Sequence, residues 1–301
     1  MPTPHQSLSR PGETVADPSV LVRLPPAGAS HDAVRRYSRA RRNLLPRTDH
    51  VTAVAGGWAH EVVLGSGASI DGVLWCPGER PHPSLEATAA RVVHRSGQAF
   101  RISERTLARI HPGLTAPALV SVVGLPRWPS RLRSGGGGLV LVADGIEYAG
   151  NLGALIRTAD ACAVDALLLT RATARVTHPK AFAASRGTVL TTPVLEYADV
   201  ASARADLAAA GFTTYVADPA GATSYRHAGL GAGPTAVVVG SEGEGVADEW
   251  RTGLTRVAIP MWGRADSLNV AASAAVLLFE ARARSEEVGA AGRRDRPGNP
   301  D

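Results

Sequence analysis

Residues 235–245 read TAVVVGSEGEG, an apolar run that ends in a loop with three glycines in six residues. Nearly unbroken apolar residues from Val237 to Val239 are typical of a strand in a parallel sheet that helices cover on both faces. The glycines permit close backbone approach and positive φ angles, so the loop from Gly240 to Gly245 can wrap a small molecule. The stretch therefore predicts an α/β fold with a ligand loop at the carboxyl end of a strand.

Strand and helix patterns alternate on both sides of this run, over residues 139–285. We predict strands at Leu139–Ala143, Ala166–Thr170, Thr213–Ala217, Thr235–Gly240 and Arg256–Ile259. We predict helices at Gly153–Cys162, Pro179–Ser185, Val200–Ala210 and Leu268–Arg284. Such alternation is typical of a mostly parallel sheet. The second half of the chain is therefore predicted to be an α/β domain.

The 301 residues leave room for a further domain. Residues 1–30 hold prolines and scattered polar groups, which predict a disordered lead-in. Residues 31–126 show shorter alternating patterns and predict a small α/β domain. Four glycines, Gly135 to Gly138, predict a flexible linker over 127–138. The α/β domain of 139–285 follows, and we predict a flexible tail over 286–301.

The charge balance indicates an anionic partner. The formal net charge is +5 and the isoelectric point is near 9.7, and a basic protein favours polyanions. A basic stretch around Tyr37 could grip a phosphate backbone; its members are Arg35, Arg36, Arg39, Arg41 and Arg42. A solvated basic helix would show the same pattern, and the sequence does not decide between the two.

Other features of the composition exclude several classes of protein. No apolar run reaches the roughly 18 residues of a membrane span, and the N-terminus lacks the apolar core of a signal peptide. We therefore expect a cytoplasmic protein with no membrane partner. Cys76 and Cys162 lie far apart in apolar surroundings, which predicts buried free thiols and no metal site.

Two further segments follow predicted strands, as the glycine loop does. The first reads NLGALIRTAD over residues 151–160, where Asn151 is placed to cap a helix and Arg157 lies about two turns into it. The free N–H groups of a helix start favour an anion. The second consists of Ile259-Pro260-Met261 and then Ser267-Leu268-Asn269, which opens an alanine-rich helix that Ser267 can cap. Three such loops in one domain predict a shared ligand site.

In this order, the three segments resemble the motifs of the SpoU/TrmH type of SPOUT RNA 2′-O-ribose methyltransferases. They read NLGALIRTAD (151–160), VVVGSEGEG (237–245), and IPM with SLNVAASAAVLLFE (259–261 and 267–280). The resemblance covers about residues 139–285. The segment AASRG (183–187) is also similar to the family, which implies that Arg186 lies near the substrate RNA.

The resemblance implies a deep trefoil knot, an exception to the rule that chains do not thread loops, and a homodimer with its sites at the subunit interface. It implies S-adenosylmethionine as methyl donor and no catalytic metal. The residues implied to bind the donor are Val216, Ala217, Gly240, Ser241, Glu242, Ile259, Met261, Ser267, Leu268 and Asn269. The residues implied to act in catalysis are Arg157, Asn151, Glu242, Ser267 and Asn269.

Residues 31–126 are similar to a ribosomal-protein-like RNA substrate-binding domain that often precedes such catalytic domains. The similarity rests on Arg101-Ile102-Ser103-Glu104 and on the apolar run at 118–123. Within the family, the chain most resembles 23S ribosomal RNA methyltransferases of the thiostrepton or avilamycin resistance type. This implies 23S ribosomal RNA as substrate and resistance to a ribosome-targeting antibiotic as the role.

Arg157 is the catalytic residue that the resemblance implies. A guanidinium stays protonated under ordinary conditions, so a literal general base is chemically unfavourable. Holding the phosphate beside the target and stabilising the developing oxyanion is the easier role. Glu242 is a second candidate for accepting the hydroxyl proton.

Several other functions stay open. The chain could methylate transfer RNA, or a base or protein instead of ribose, or it could be a non-catalytic RNA-binding protein with a degenerate knot. A nucleotide-dependent dehydrogenase is the general α/β alternative. The glycine loop does not favour it, because its spacing fits neither the dinucleotide fingerprint nor a P-loop.

Overall fold

The structure is a computed structural model that describes residues 16–80, 82–132, 138–241 and 243–294, with side chains as far as residue 286. The chain divides into two compact units. The first contains the residues up to Arg41 together with Ala53–Gly124, and the second contains Arg42–Thr52 together with the residues from Leu125 onward.

A single domain boundary near residue 126 is therefore wrong, because residues 42–52 belong to the second unit. Long-range hydrogen bonds hold them there. Arg175 donates from Nη2 to the Leu45 carbonyl at 3.1 Å, and the Leu125 N–H donates to the His50 carbonyl at 2.9 Å. Leu45 is buried, so the segment is an integral part of the unit.

The first unit contains a four-stranded sheet with the strand order β1-β4-β2-β3. Its strands are β1 (Val51–Ala55), β2 (Ile70–Cys76), β3 (Ala99–Arg101) and β4 (Ala118–Gly124). Its helices are α1 (Asp32–Arg41), α2 (Gly57–Ser66), α3 (Pro83–Arg95) and α4 (Glu104–Ile110). Strand β2 pairs antiparallel with β4 and parallel with β3. The described residues before 126 therefore contain a small four-stranded sheet and four α-helices.

The prediction that residues 1–30 form a disordered lead-in is wrong for residues 16–30, which the structure describes. Pro18–Arg23 form a 3-10 helix, whose Asp17 cap accepts a hydrogen bond from the Ser19 N–H. Leu21 is buried, and the Ala27 N–H donates to the Arg101 carbonyl at 2.8 Å. The burial of Leu21 helps to order this segment, although its many prolines and polar residues had indicated disorder. Residues 1–15 lie outside the described part of the chain.

A buried histidine ties β4 to α2 in the first unit. His60 is fully buried, its Nδ1 lies 2.7 Å from the Gly56 carbonyl, and its Nε2 lies 2.8 Å from Ser121 Oγ. Because a carbonyl only accepts, Nδ1 carries the proton and Nε2 accepts from the hydroxyl. Burial lowers the pKa of His60 to about 4, so the imidazole is neutral at physiological pH and its role is structural.

The second unit contains a seven-stranded sheet with the order β7-β6-β5-β10-β8-β11-β9. Its strands are β5 (Leu139–Asp144), β6 (Ala166–Thr170), β7 (Val194–Glu196), β8 (Thr213–Ala217), β9 (Thr223–Ser224), β10 (Thr235–Gly240) and β11 (Thr255–Ala258). Every pairing in this sheet is parallel. The carboxyl ends of the strands therefore lie along one edge.

Helices cover the sheet of the second unit on both faces. They are α5 (Ala149–Ala161), α6 (Pro179–Ala184), α7 (Val200–Ala209), α8 (Asp248–Arg251) and α9 (Val270–Arg294). The consecutive residues Val237, Val238 and Val239 are at most 1% exposed, although they point alternately to opposite faces. This burial confirms that the apolar run in β10 belongs to a sheet covered on both sides.

The predictions of a flexible linker over 127–138 and a flexible tail over 286–301 are both wrong for the residues that the structure describes. Within 127–132, Trp128 and Leu132 pack against the core, and the Leu132 N–H donates to Asp206 Oδ2 at 3.0 Å. Residues 133–137 lie outside the description. The expected tail begins inside α9, which continues to Arg294 because alanine, glutamate and arginine favour helix.

Candidate functional site

The glycine loop after β10 folds back on itself. The Gly245 N–H donates to the Ser241 carbonyl at 3.0 Å, and the Glu244 N–H donates to Ser241 Oγ at 3.3 Å. A Cβ on Gly240 would lie 2.1 Å from the carbonyl carbon of Gly245, a distance that atoms do not tolerate. Gly245 has a φ of +69°, which favours glycine. Both glycines are therefore required by the shape of the loop.

Asp144 fixes this loop to the sheet from the end of β5. Its carboxylate is fully buried and accepts hydrogen bonds from Arg171 Nε and Nη2, at 3.0 and 2.8 Å, and from the Ala247 N–H at 2.8 Å. The Thr170 hydroxyl adds a fourth at 2.7 Å. Hydrogen bonding to Asp144 raises the pKa of Arg171, so the ion pair persists. The positioning role of Asp144 was not predicted, although an acidic residue that closes an apolar strand was a usable signal.

The first and third segments meet through two asparagines. Asn269 Nδ2 donates to Asn151 Oδ1 at 3.3 Å, across 118 residues of sequence. Asn269 also caps α9, because its Oδ1 accepts from the Ala271 N–H at 3.0 Å and its carbonyl from the Ser273 N–H. This side-chain hydrogen bond joins the two loops at one site.

The predictions that Asn151 caps α5 and that Ser267 caps α9 are therefore wrong. Helix α5 begins at Ala149 after Tyr148, whose side chain makes no capping hydrogen bond, so Asn151 lies inside the first turn. Ser267 lies three residues before α9 and donates instead to Asp266 Oδ1 at 3.3 Å. Asn269 takes the cap because it directly precedes the helix, and Asn151 is left to bond with it.

A cavity of about 150 Å³ opens where β8, β10 and β11 end. Seven residues predicted at the donor site line it: Ala217, Gly240, Ser241, Ile259, Met261, Ser267 and Leu268. Val216 is instead buried inside the sheet, and Asn269 lies outside the lining but bonds to Asn151. Glu242 falls outside the described residues. The structure thus brings most of the predicted set around one cavity.

The size and form of this cavity suit one end of an extended ligand. Pockets that enclose a whole drug-sized molecule measure roughly 300–1,000 Å³, which is larger than the 150 Å³ found here. Met261, Asp266 and Ser267 are exposed, so the cavity is open on their side. The Cβ that Gly240 lacks would collide with the backbone of Gly245, so glycine at this position sets the shape of the loop that lines the cavity.

Sequence reasoning missed some of the lining residues, above all Asp218 and Asp266. Asp218 directly follows β8 and is 8% exposed. Arg256 donates from Nε to Asp218 Oδ2 at 2.9 Å, and Arg251 Nε lies 3.4 Å from the same oxygen. These two guanidiniums hold the loop after β8 against β11. The signal was again a carboxylate at the end of a strand.

The predicted catalytic and RNA-binding arginines lie in both units. In the second unit, Arg157 is exposed on α5, and Arg186 is exposed in the turn after α6 with a φ of +56°. In the first unit, α1 carries Arg35, Arg36, Arg39 and Arg41. Arg42 directly follows that helix and belongs to the second unit.

Helix α1 buries Tyr37 and turns several of its arginines outward. Two of these arginines form ion pairs, Arg35 with Asp32 at 2.6 Å and Arg36 with Asp71 at 3.0 Å. Their contact with RNA stays a prediction.

Membrane spans and metal clusters are both absent from the described part of the chain. No helix within it is long and apolar enough to cross a membrane. No group of three or more histidine, cysteine, aspartate or glutamate side chains among the described residues could hold a metal ion.

Comparison with known proteins finds relatives of the second unit. Residues 138–279 match the model of the SpoU rRNA Methylase family. Over 151 residues the chain is 30% identical to a Staphylococcus haemolyticus protein described as a TrmH family tRNA/rRNA methyltransferase, a match that covers 50% of this chain and 60% of that protein. The chain thus spans about 60% of the length of this curated relative.

Solved structures extend the likeness to both units. A crystal structure of an RNA 2′-O ribose methyltransferase matches 88% of this chain and 100% of its own, with a TM-score of 0.72 and 26% identity. The AdoMet complex of the SpoU methyltransferase AviRb from Streptomyces viridochromogenes matches 84% and 98%, with a TM-score of 0.70 and 24% identity, which shows a shared fold.

Residues 138–279 thus match the SpoU rRNA Methylase family model, and over about this part the chain is similar to a TrmH family methyltransferase.

We expect Gly240→Ala to disrupt the loop, because the new Cβ would meet the backbone of Gly245. The cost should be about 1–3 kcal/mol of unfolding free energy or more, as for other overpacked sites. The matched control is Gly243→Ala, where the Cβ meets nothing within 4 Å, and its change should stay within about 0.5 kcal/mol. Urea unfolding measures both, and equal stability of the two variants would contradict the folded-back loop.

Proposed function

We propose that this protein transfers a methyl group from S-adenosylmethionine to the 2′-hydroxyl of a ribose in RNA. The observation that carries the proposal is the hydrogen bond between Asn151 and Asn269. It joins the first and third family segments beside the cavity that the second segment helps to line. The family match and the likeness to an RNA 2′-O ribose methyltransferase support the same reaction.

We place the methyl donor in the cavity at the ends of β8, β10 and β11. Its residues would be the seven that line the cavity, together with Glu242 and Asn269 as predicted and Val216 behind them in the sheet. The donor, when bound, supplies an electrophilic methyl group on a sulfonium. The fit rests on the tight fold of the glycine loop, which requires Gly240, and on loops fixed by Asp144 and Asp218.

The chain's own groups would position and activate the ribose. A ribose hydroxyl is a weak acid, so orientation beside the methyl group is the main task, and it can supply up to about 7–11 kcal/mol in well-aligned cases. Arg157 is exposed and permanently charged. It can hold the phosphate beside the target and stabilise the developing oxyanion. Glu242 would accept the proton, and Asn151, Ser267 and Asn269 would shape the pocket.

We also propose a homodimer, a trefoil knot, an RNA-binding role for the first unit and a cytoplasmic location. Large apolar side chains on the surface of the second unit support the homodimer: Tyr148, Trp262 and Phe279 are 69%, 87% and 53% exposed. Surfaces of this kind favour association with another chain. The parallel sheet and the family match support the knot, and the net charge of +5 supports an RNA partner.

The substrate that we favour is 23S ribosomal RNA, and we propose that the methylation protects the ribosome from an antibiotic. The AASRG segment and the similarity of residues 31–126 to a ribosomal-protein-like module support this choice. Transfer RNA is the second candidate, because the Staphylococcus haemolyticus relative is described for both kinds of RNA.

We expect Arg157→Ala to retain donor binding and lose methylation. Calorimetric titration with S-adenosylmethionine should give a Kd within about twofold of the wild type, while methyl transfer falls roughly 100- to 1,000-fold, as when an oxyanion-stabilising donor is removed from other enzymes. Arg157→Lys keeps the charge but lacks the planar guanidinium, so its rate of methyl transfer should lie between those of the wild type and Arg157→Ala. Wild-type turnover in Arg157→Ala would exclude the role. Absence of donor binding in the wild type would favour a non-catalytic RNA-binding protein.

We expect tritium from methyl-labelled S-adenosylmethionine to enter 23S ribosomal RNA in preference to transfer RNA. Primer extension at low nucleotide concentration would then stop at the modified residue, and the Arg157→Ala protein serves as the control for background label. Preferential labelling of transfer RNA would overturn the proposed substrate.

A further inference from the structure

A second cavity, of about 270 Å³, lies in the second unit at the β7 side of the sheet. We call it the Arg175 pocket and define it by Arg47, His50, Arg127, Trp128, Arg175 and Glu196, which line it. None of these residues belongs to the donor cavity or to the family segments described above. We propose that the Arg175 pocket binds one nucleotide of single-stranded RNA through its phosphate and base.

The charge of the pocket suits a phosphate. Three arginines and one acidic residue are among the described residues of the lining. The acidic residue, Glu196, lies 3.8 Å from Arg47 Nη1. Burial and the neighbouring charge of Arg127 lower the pKa of His50, so this imidazole adds no positive charge at neutral pH. Burial and the charge of Arg47 also lower the pKa of Arg175. A bound anion would relieve this mutual repulsion.

Two buried nitrogen atoms of the pocket residues have no partner among the described residues. They are Arg175 Nε and His50 Nδ1. The other nitrogens of Arg175 donate to the carbonyls of Asn43 and Leu45, at 3.5 and 3.1 Å, which fix the guanidinium in place. Arg175 Nε is a donor, and a buried donor without an acceptor is costly, so an oxygen atom of a ligand that reached it would offset that cost.

One wall of the pocket can hold a base. Trp128 is half-buried and packs against the core of the unit, so its position is fixed before any ligand binds. Aromatic rings beside arginines are the usual means by which proteins bind single-stranded nucleic acid, since bases stack on the ring while the arginines neutralise the backbone. An inorganic anion would use the arginines alone, and the tryptophan therefore favours a nucleotide.

The pocket lies along the same edge of the sheet as the donor cavity. Arg175 follows β6 and Glu196 ends β7, whereas the donor cavity lies at the ends of β10, β8 and β11. Strands β7 and β10 are three positions apart in the sheet, which at about 4.8 Å per strand is roughly 14 Å. A single strand of RNA that presents its ribose at the donor cavity can extend to the pocket, so this inference rests on the proposed function.

The test measures binding of a fluorescein-labelled single-stranded oligouridylate to the full-length chain, by anisotropy over a range of salt concentrations. The double variant Arg47→Gln/Arg127→Gln removes two exposed charges of the pocket. It should raise the Kd at least about tenfold and reduce the slope of log K against log salt by roughly 0.7 for each phosphate that is no longer neutralised. Trp128→Leu keeps apolar packing and removes the stacking face, which should raise the Kd about 5- to 150-fold.

The matched control is Arg226→Gln, which removes an exposed arginine just after β9. Strand β9 is the outermost strand on the side of the sheet away from β7. Its Kd and salt slope should equal those of the wild type. Unchanged affinity in both pocket variants would overturn the proposal. An effect of the double variant on the binding of inorganic phosphate, with oligouridylate binding unchanged, would overturn the assignment to RNA.

The same proteins separate this inference from the proposed function. Loss of RNA affinity in the pocket variants, in a protein that transfers no methyl group, would support the pocket and contradict the methyltransferase. Wild-type RNA affinity in the pocket variants, with methyl transfer intact, would contradict the pocket and support the methyltransferase. Thermal unfolding of the double variant should stay close to that of the wild type, because Arg47 and Arg127 are exposed and the hydrogen bond from Arg127 Nη2 to the Thr48 carbonyl, at 2.9 Å, lies at the surface.

Discussion

The buried carboxylate of Asp144 is the constraint on which the site depends. It lies at the end of β5, without exposure to solvent, and receives hydrogen bonds from the end of β6 and from the backbone beyond the glycine loop. An isolated buried charge is very costly, and removing one partner of such a pair typically costs about 3–5 kcal/mol. The two strands and the loop are therefore held in one arrangement, and the loop forms part of the wall of the cavity at the ends of β8, β10 and β11.

A parallel sheet makes this arrangement useful, because it delivers all strand ends to one edge. The glycine loop, the loop after β8 and the loop before α9 meet there, although each comes from a different part of the sequence. Arginines fasten the carboxylates that close two of the strands, Arg171 with Asp144 and Arg256 with Asp218. A ligand would then meet loops that need little rearrangement, which reduces the entropic cost of binding.

Much of the second unit could be predicted from periodicity. Strands β6, β8 and β10 have the expected bounds, and the cavity gathers most of the expected donor residues. Strands β7 and β9 were missed because three and two residues are too few to show an alternation. The crossing of residues 42–52 into the second unit depends on hydrogen bonds from Arg175, which local patterns do not reveal. Asn269 caps α9 in place of Ser267, because the helix starts two residues later than its alanine-rich pattern suggested.

The most direct measurement is nucleoside analysis of RNA methylated by the purified protein. The RNA is digested completely and the methylated nucleosides are identified by mass spectrometry, while a second sample is treated with alkali. We expect the methyl group on ribose and a phosphodiester bond that resists alkali at that position, because the 2′-hydroxyl needed for its cleavage is blocked. A methyl group on a base, with ordinary sensitivity to alkali, would contradict the assignment of this site to ribose methylation.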